Sequence, residues 1–573
     1  MLPEKARDKF FWTKIKEKEE YKEMLSELFS QYEESTKTPL CALKYSEYNE
    51  FFENGSRETY EKRYFLRRKR LNSCALLSLI FPENGEYLKE LLDTIWAICD
   101  EYTWSVPAHA ECKDEIDENL LDLFAAETGF ALAEIKFLLS ERLPEIIKKR
   151  ISKGISLRIF DSFKKRNYWW KTYENNWAAV CAASVGICFM YEAPESFYEI
   201  KPEIDSILEY FFRSYKEDGV CREGLAYWEY GFGFFVFYAD MLKRFSKGKY
   251  DYFKEERVKK ISQFMQNMFL TENAMISFSD GSMNGNYKIG IMHMLKSVYG
   301  EKIELPPKRF GTITDKCARW CWEMRAFLYY DENFVLEKEE NEKEIFYDLS
   351  GWFIKKKKRY AFAIKGGDNG EPHNHNDVGS FIFAVNGTQF LCDLGAGEYT
   401  AQYFKPDSCE TIFCKSSLSH NVPIIDGKGQ KTGETFKGII CVNEEGVSVG
   451  FSSAYESANL KGLTRNVIFL DDKVILQDKF VHSGTFRERF VSTIMPEVCG
   501  DKIKIGKKCF LNYDKNNFSP EISMQKYNLH SCEEATAYLI DFIPLNKNNM
   551  YFVMDICLDT AYSAKPAKIK CRK

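Results

Sequence analysis

The sequence predicts an α+β protein in which a helical N-terminal half precedes an antiparallel β C-terminal half. From about residue 73 to residue 292 apolar residues recur at helical spacing, as in the twelve-residue segment that begins at Ile116. From about residue 346 onward, short runs rich in Val, Ile, Phe and Tyr alternate with Gly, Asn and Asp, which is typical of strands and turns. The charged stretch Leu336–Glu344 is the expected linker, so we predict domains at 1–335 and 336–573.

Composition narrows the class of protein. The chain has 573 residues, of which 45% are apolar and 29% charged, as is ordinary for globular proteins. A net charge of −5 argues against nucleic-acid binding. The N-terminus lacks a secretory signal, no apolar run approaches membrane-spanning length, and the 18 cysteines show no paired spacing. We therefore expect a cytoplasmic protein with reduced thiols and neither a nucleic-acid nor a membrane partner.

Two adjacent amides, Asn175 and Asn176, open a very apolar stretch of the helical half. An asparagine N-cap is a sufficient structural explanation. The functional alternative is an amide donor at a helix N-terminus, a position that favours a carboxylate ligand through its free N–H groups and the helix dipole.

A second polar segment, Asp218–Gly233, places Tyr227 and Tyr230 three residues apart, hence on one face if the segment is helical. Arg222 and Trp228 lie beside them in the sequence. Tyrosines at this spacing are more often packing residues than catalytic ones, so this segment alone favours a structural role.

In the β half, residues 380–393 read as a hairpin. Two apolar runs are joined by Asn386-Gly387, the dipeptide that best fits a type I′ turn because both positions tolerate a positive φ. A two-residue turn pairs Val385 with Thr388, and the same register then places Asp393 opposite Ser380.

The loop before this hairpin contains His373 and His375, in a chain with only seven histidines. Asp393 is expected near His375, and His420 precedes another short strand-like run. Two imidazoles and one carboxylate suit zinc, or manganese where water completes the coordination. These spacings match no compact zinc motif, so three unrelated polar residues at strand ends remain the alternative.

Taken together, these segments resemble the heparinase II/III-like polysaccharide lyases. The resemblance is carried, in order along the chain, by Trp104–His109, the Asn-Asn-Trp helix start, Glu223–Tyr230, His373–Phe381, Asp393–Thr400 and Ser419–Asn421. It covers most of the chain. The family implies an N-terminal (α/α) toroid, an incomplete barrel, followed by a C-terminal antiparallel β-sandwich.

The resemblance also implies roles for individual residues. Asn176 and His373 would neutralise a uronate carboxylate, and Tyr230 would be the acid/base group. His375, Asp393 and His420 would hold one structural divalent metal. The residues expected to bind substrate are His109, Asn175, Trp177, Arg222, Tyr227 and Trp228. Some relatives carry a histidine next to the neutralising asparagine, but this chain does not, which leaves Tyr230 as the candidate for both base and acid.

The implied activity is β-elimination on an anionic, uronic-acid-containing oligo- or polysaccharide, most readily a glycosaminoglycan, giving a 4,5-unsaturated uronate. Proton abstraction at C5 would equally serve a uronate C5-epimerase, and a non-catalytic carbohydrate-binding protein is the other alternative. Hydrolysis by paired carboxylates is disfavoured, because Glu223 and Glu229 are six residues apart and would not share a helix face. The sequence leaves homo-oligomerisation open.

Overall fold

The structure is a computed structural model that describes residues 2–110, 117–334, 342–371, 373–546 and 550–558. It divides into two compact units. The helical unit comprises Met1–Cys221, Ala226–Gln266 and Asn286–Glu337, and the sheet unit comprises Arg222–Leu225, Asn267–Gly285 and Lys338–Lys573. Most of the predicted linker, residues 336–341, lies outside the described residues.

The α-helices are concentrated before residue 330. They are α1 (Lys9–Ile15), α2 (Lys22–Thr36), α3 (Tyr45–Asn54), α4 (Glu58–Ile80), α5 (Gly85–Cys99), α6 (Leu123–Leu138), α7 (Glu145–Ile155), α8 (Ser162–Lys165), α9 (Asn176–Glu192), α10 (Phe197–Arg213), α11 (Leu225–Tyr227), α12 (Gly233–Phe245), α13 (Glu256–Ser262), α14 (Phe264–Met268), α15 (Ile289–Tyr299), α16 (Trp320–Tyr329) and α17 (Ser408–Thr411). The helix expected from Ile116 begins at Leu123, because Asp122 caps it by accepting from the Ala125 N–H.

Five helices of the helical unit pack in sequence around its centre: α6 on α9, α9 on α12, α12 on α15, and α15 on α16, which also contacts α6. Helix α9 is buried on almost every side, from Ala178 to Met190. A helix surrounded by other helices has to be apolar all round, and this one is. The intervening helices α7 and α10 pack on α6 and α9, respectively, and both are amphipathic.

The strands are concentrated after residue 340. They are β1 (Phe269–Thr271), β2 (Ala274–Met275), β3 (Tyr287–Lys288), β4 (Gly311–Thr312), β5 (Lys343–Tyr347), β6 (Trp352–Lys356), β7 (Ala361–Lys365), β8 (Gly367–Asn369), β9 (Phe381–Val385), β10 (Thr388–Leu391), β11 (Ile424–Ile425), β12 (Gly433–Val442), β13 (Gly446–Gly450), β14 (Leu460–Phe469), β15 (Lys473–His482), β16 (Phe486–Ser492), β17 (Pro496–Cys499), β18 (Lys502–Ile505), β19 (Cys509–Tyr513), β20 (Phe518–Asn528), β21 (Glu534–Pro544) and β22 (Tyr551–Leu558).

The sheet unit contains three larger sheets, with strand orders β10-β9-β7-β6-β5, β11-β16-β21-β20 and β17-β18-β19-β22-β15-β14-β13-β12-β8. Their strand pairs are antiparallel. Residues such as Phe362, Phe381, Phe490 and Phe552 form one apolar core between them. The alternation of buried and exposed positions along β15 and β22 is that of strands with one face on this core.

The predicted hairpin is present, with one correction to its register. Val385 pairs with Thr388 across Asn386 and Gly387, whose φ angles of 47° and 76° fit the expected turn. The register then shifts by one residue between Gln389 and Leu391, so that Leu391 pairs with Phe383. The prediction that Asp393 lies directly opposite Ser380 is therefore wrong, because a bulge intervenes. Within the described residues, no helix combines the length and apolar character needed to cross a bilayer.

Candidate active site and metal centre

Tyr230 lies in a π-helical turn, Trp228–Phe232, that leads directly into α12. Such turns widen the helix locally and are common at functional sites. Tyr230 stays partly exposed, whereas Trp228 is 0% exposed and its indole N–H donates to the Ile261 carbonyl at 2.8 Å. The prediction that Trp228 contacts substrate is thus not supported by its position, since it belongs to the core.

The two asparagines at the start of α9 have different environments. Asn175 is the N-cap, and its side-chain oxygen accepts from the Trp177 N–H at 3.0 Å. Asn176 is only 5% exposed, and its side-chain amide has no hydrogen-bond partner among the residues that the structure describes. The structural explanation therefore accounts for Asn175 and leaves the Asn176 amide available for a ligand.

Asn176 and the Tyr230 turn adjoin each other. A Cβ placed on Gly231 would lie 3.1 Å from the Asn176 Cα and 2.9 Å from a Phe211 ring carbon. Only glycine allows the turn to approach the α9 N-terminus this closely. The helical unit thus brings together two of the predicted catalytic residues.

Three residues that the sequence did not point to complete this group, which we call the tyrosine cluster: Tyr230, Glu127, Arg319 and Asp315. The Tyr230 hydroxyl donates to Glu127 Oε1 at 2.5 Å, and Arg319 Nε lies 3.3 Å from both Glu127 oxygens. The Arg319 guanidinium lies over the Tyr230 ring, 3.9 Å from its centroid, and also pairs with Asp315. Burial raises the pKa of Glu127 to about 7, against the opposing charge of Arg319.

The other predicted substrate-binding residues are divided between the units. In the helical unit, His109 Nδ1 lies 2.7 Å from Asp122 and its ring meets that of Trp177 at 4.6 Å, while Tyr227 is partly exposed. In the sheet unit, Arg222 lies 3.6 Å from Glu371.

The histidine loop of the sheet unit is fixed by buried polar contacts. Lys365 and Asp377 are both 0% exposed and form an ion pair at 2.7 Å, and Lys365 also donates to the Asn374 side chain at 3.0 Å. The backbone of His373 has a φ of 53°, a left-handed conformation that is uncommon for a non-glycine residue. These buried contacts hold the loop in place within the sheet unit.

Asp280 is the centre of the histidine cluster, a name we use for His373, His375, His420, Asp280 and Asp393. His373 Nδ1 lies 2.7 Å and His375 Nε2 3.3 Å from its carboxylate, which also accepts from the hydroxyls of Tyr399, at 2.9 Å, and Tyr403. Burial alone would raise the pKa of Asp280, but the bonds from the two histidines hold it well below its ordinary value. Asp280 is therefore an anion that orients both rings.

The His373 side chain stays partly exposed, with 23% of its surface accessible. Glu223 Oε2 lies 3.7 Å from His373 Nε2. Burial raises the pKa of Glu223 to about 7, against the charges of His373 and Arg222. For His373 itself burial favours the neutral ring, but Asp280 and then Glu223 outweigh it and raise its pKa.

His375, Asp393 and His420 are all fully buried, and one ligand atom from each lies within 4.8 Å of the other two. His420 Nδ1 donates to the Ser416 carbonyl at 2.8 Å, and His375 Nε2 donates to Asp280. The remaining ring nitrogens, His375 Nδ1 and His420 Nε2, are 3.2 Å apart, and in neutral rings with these tautomers both carry lone pairs.

The third group, Asp393 Oδ2, lies 3.4 Å from His420 Nε2 and is buried without a hydrogen bond from the described residues. Asp393 Oδ1 accepts from the Gly395 N–H at 2.9 Å. Two imidazole nitrogens and one buried carboxylate oxygen thus lie close together, and each histidine has a hydrogen-bond acceptor for the N–H of its other ring nitrogen. This is the donor arrangement of a histidine–carboxylate metal site, so these residues fit a divalent cation such as zinc.

The missed residues left only weak signals in the sequence. Asp280 belongs to an Asp-Gly pair that reads as a turn, and it is 93 residues from His373. Glu127 and Arg319 are 103 and 89 residues from Tyr230, although a glutamate on the apolar helix α6 is itself a signal that a partner exists.

Comparisons with known proteins agree with this architecture. Residues 340–493 match a family model described as heparinase II/III-like, C-terminal. Among solved structures, the chain is similar to heparinase III, with 13% identity and a TM-score of 0.62 over 87% of this chain and 77% of that chain. It is also similar to heparan sulfate lyase HepC from Pedobacter heparinus, with 12% identity and a TM-score of 0.58 over 93% and 88% of the chains.

A third similar structure is the chondroitin AC lyase of Streptomyces coelicolor A3 in complex with chondroitin sulphate, with 10% identity and a TM-score of 0.55 over 98% and 82% of the chains. No curated protein matches the chain in sequence. These structural similarities confirm the predicted fold class, a helical toroid followed by an antiparallel β-sandwich.

Proposed function

We propose that this protein is a polysaccharide lyase, because residues 340–493 match the heparinase II/III-like C-terminal family model and most of the chain is similar in fold to heparinase III. Its substrates are uronic-acid-containing glycans, and glycosaminoglycans or their oligosaccharides are the class we propose, since the similar structures include a heparan sulfate lyase and a chondroitin AC lyase. The reaction is β-elimination, which leaves a 4,5-unsaturated uronate at the new non-reducing end.

The observation that carries this proposal is the close approach of the α9 N-terminus, where Asn176 lies, to the turn that carries the partly exposed Tyr230. β-Elimination removes the weakly acidic C5 proton of the uronate, and the developing charge moves onto the C6 carboxylate. A buried amide at a helix N-terminus would stabilise that charge by a hydrogen bond and by the helix dipole. The resemblance assigns His373 as a second donor to the same carboxylate.

Tyr230 is the group that handles protons in this proposal. Its oxygen takes the C5 proton and then gives a proton to the glycosidic oxygen that leaves C4. A single phenol can do both when the two atoms lie on the same side of the sugar ring.

We further propose that His375, Asp393 and His420 hold one divalent metal, zinc or alternatively manganese. With a metal held by these three residues, the histidine loop would be cross-linked to the hairpin and to the segment before β11. His373, two residues from His375, would then keep its orientation.

The metal proposal is tested by elemental analysis of the purified protein and of His420→Ala. We expect about one equivalent of zinc or manganese in the wild type and its loss from the variant. Chelation should lower the melting temperature and the activity, and re-addition of the metal should restore both. A metal-free wild type with full activity would exclude this site.

The lyase is tested by absorbance near 232 nm, where the conjugated uronate product absorbs and the saturated substrate does not. Heparan sulfate, chondroitin sulfate and hyaluronan are offered separately to the wild type, Tyr230→Phe and Asn176→Ala. We expect a rise with at least one of them, lost in Tyr230→Phe and strongly reduced in Asn176→Ala. Exchange of the C5 hydrogen with D2O and no rise would indicate an epimerase, and binding with neither would indicate a non-catalytic protein.

A further inference from the structure

The tyrosine cluster contains a proton acceptor, Glu127, that takes no part in the proton transfers proposed above. Tyr230 donates its hydroxyl hydrogen to Glu127 Oε1 at 2.5 Å, so the hydrogen is directed at the carboxylate. The Arg319 guanidinium covers the ring face at 3.9 Å. The phenol is thus held in one orientation, with its remaining lone pair directed away from Glu127.

A tyrosine in this environment cannot act as a base by ionising in advance. Burial, and after it the charge of Glu127, raises the pKa of Tyr230 well above its ordinary value, against the opposing effect of Arg319. The phenolate is therefore scarce at neutral pH. To accept a proton from a sugar carbon, Tyr230 has to pass its own hydrogen to a neighbouring group.

Glu127 is the neighbour in position to take it. Its side chain is 12% exposed, and the titratable or charged groups that face it are Tyr230, Arg319, Asp315, Cys181, Cys317 and Cys321. Arg319 is shared with Asp315, so it neutralises Glu127 only in part. A carboxylate with a pKa of about 7 is also a stronger base than an ordinary one, and it is best matched to proton transfer near neutral pH.

We propose that Glu127 acts through Tyr230, as a positioning residue that holds the phenol and receives its proton while the Tyr230 oxygen takes the C5 proton of the substrate. This inference rests on the proposed lyase function. In the first step the C5–H bond breaks, a new O–H bond forms on Tyr230, and the former phenolic hydrogen moves to Glu127. The electron pair of the broken C5–H bond stays on the substrate, which becomes the enolate.

The second step returns the cluster to its starting state. The enolate electrons form the C4=C5 bond as the C4–O4 bond breaks, and Tyr230 gives its proton to O4. Glu127 gives the proton it holds back to Tyr230. Overall one hydrogen moves from C5 to O4, and no phenolate is required at any stage.

The chain offers a matched control on the same helix. Glu134 is also a buried glutamate that pairs with an arginine, Arg325, and accepts from a tyrosine, Tyr191. Glu134→Gln makes the same chemical change as Glu127→Gln, in a triad that does not contain Tyr230. Any effect that both variants share reflects the loss of a buried carboxylate in general.

The first experiment compares pH profiles of kcat and of kcat/KM for the wild type, Glu127→Gln, Glu127→Asp and Glu134→Gln. We expect Glu127→Gln to lower kcat by about 10²–10⁴-fold with KM changed only a few-fold, and to remove the acidic limb of the profile. Glu127→Asp should recover part of kcat, whereas Glu134→Gln should keep the wild-type profile. A Glu127→Gln enzyme with wild-type kcat and an intact acidic limb would overturn the inference.

The second experiment needs no turnover. The phenolate absorbance band is titrated in the wild type, Glu127→Gln and Glu134→Gln, with Tyr230→Phe as the blank that identifies Tyr230. Removing the adjacent negative charge should shift the Tyr230 titration to lower pH in Glu127→Gln only.

The two experiments separate the inference from the proposed function. A wild type that is inactive on every uronide, with a shifted Tyr230 titration in Glu127→Gln, would reject the lyase and keep the pairing of the two residues. An active lyase in which Glu127→Gln changes neither kcat nor the titration would keep the lyase and reject the role of Glu127.

Discussion

Helix α6 carries two glutamates, seven residues apart and hence on one face, and each binds a tyrosine and an arginine from elsewhere in the chain. We call them the Glu134 triad (Glu134, Tyr191, Arg325) and the Glu127 triad (Glu127, Tyr230, Arg319). They are built from the same three residue types, but they differ in how completely the carboxylate is satisfied.

The Glu134 carboxylate is fully satisfied. It accepts from Tyr191 at 2.7 Å, from the Trp320 indole at 2.9 Å and from both terminal nitrogens of Arg325, one of them at 2.8 Å. Glu134 is 0% and Arg325 1% exposed. A bidentate pair with two further donors satisfies the carboxylate completely, so this triad is a structural clamp.

The Glu127 carboxylate has fewer donors. Tyr230 and Arg319 Nε are its partners, and the rest of the Arg319 charge goes to Asp315. The deficit leaves the carboxylate able to gain a proton near neutral pH, and Tyr230 of this triad lies in the turn that adjoins Asn176. Donor supply, and not residue type, separates a clamp from a group that exchanges protons.

The two triads should differ most in the stability that the protein loses when the glutamate carboxylate of each triad is removed. Glu134→Ala leaves Arg325 buried without a partner and should cost about 3–5 kcal/mol of the free energy of unfolding. Glu127→Ala should cost about 1–2 kcal/mol, because Arg319 keeps Asp315. Urea unfolding of the full chain at neutral pH measures both. Equal costs would show that the two triads are alike and that the distinction drawn from their donors is unsound.

A smaller effect is expected in the pH dependence of stability. The pKa of Glu127 is raised from an ordinary 4.5 to about 7 in the folded state, so between these values the folded protein binds more protons than the unfolded chain. The stability that this extra proton gives the folded state is fully present below about pH 4.5. It is lost as the pH rises to about 7, by up to about 3 kcal/mol.

The glutamine of Glu127→Gln does not titrate in this pH range, so this variant should lack the loss of stability between about pH 4.5 and about pH 7. The measurement is the difference in unfolding free energy between the wild type and Glu127→Gln from about pH 5 to about pH 8, with Glu134→Gln alongside to show what a buried glutamine does by itself. A difference that stays constant over this range would mean that the folded protein does not bind the extra proton at Glu127.

The same two glutamates show how far the sequence can be interpreted. Hydrophobic periodicity was sufficient to predict the change from helices to antiparallel strands, and Asn386-Gly387 predicted the hairpin turn, because both patterns are local. The bulge in β10 was not predicted, since no residue type requires it. The metal-ligand candidates were recognisable because histidine is rare in this chain and because the segments resemble a known family.

Glu127, Arg319 and Asp280 could not be identified in this way. Their partners are about 90 to 100 residues distant, and long-range approach depends on how the helices and loops pack. A glutamate on an apolar helix does indicate a buried partner, but Glu127 and Glu134 give the same signal. Only the number of donors around each carboxylate distinguishes them, and that number is a property of the tertiary structure.

The smallest expected effect on stability, and the sharpest contrast in function, comes from removing the two tyrosine hydroxyls. Tyr191→Phe removes one of several hydrogen-bond donors to Glu134. Tyr230→Phe removes the shortest hydrogen bond to Glu127, a carboxylate that can take up a proton instead. Each change should therefore lower the free energy of unfolding by about 0.5–1.5 kcal/mol. Turnover, followed by product absorbance, should persist in Tyr191→Phe and disappear in Tyr230→Phe. Loss of turnover in both variants at equal stability would mean that the tyrosines act through the packing of α6, because the hydroxyl of Tyr191 has no place in the proton transfer.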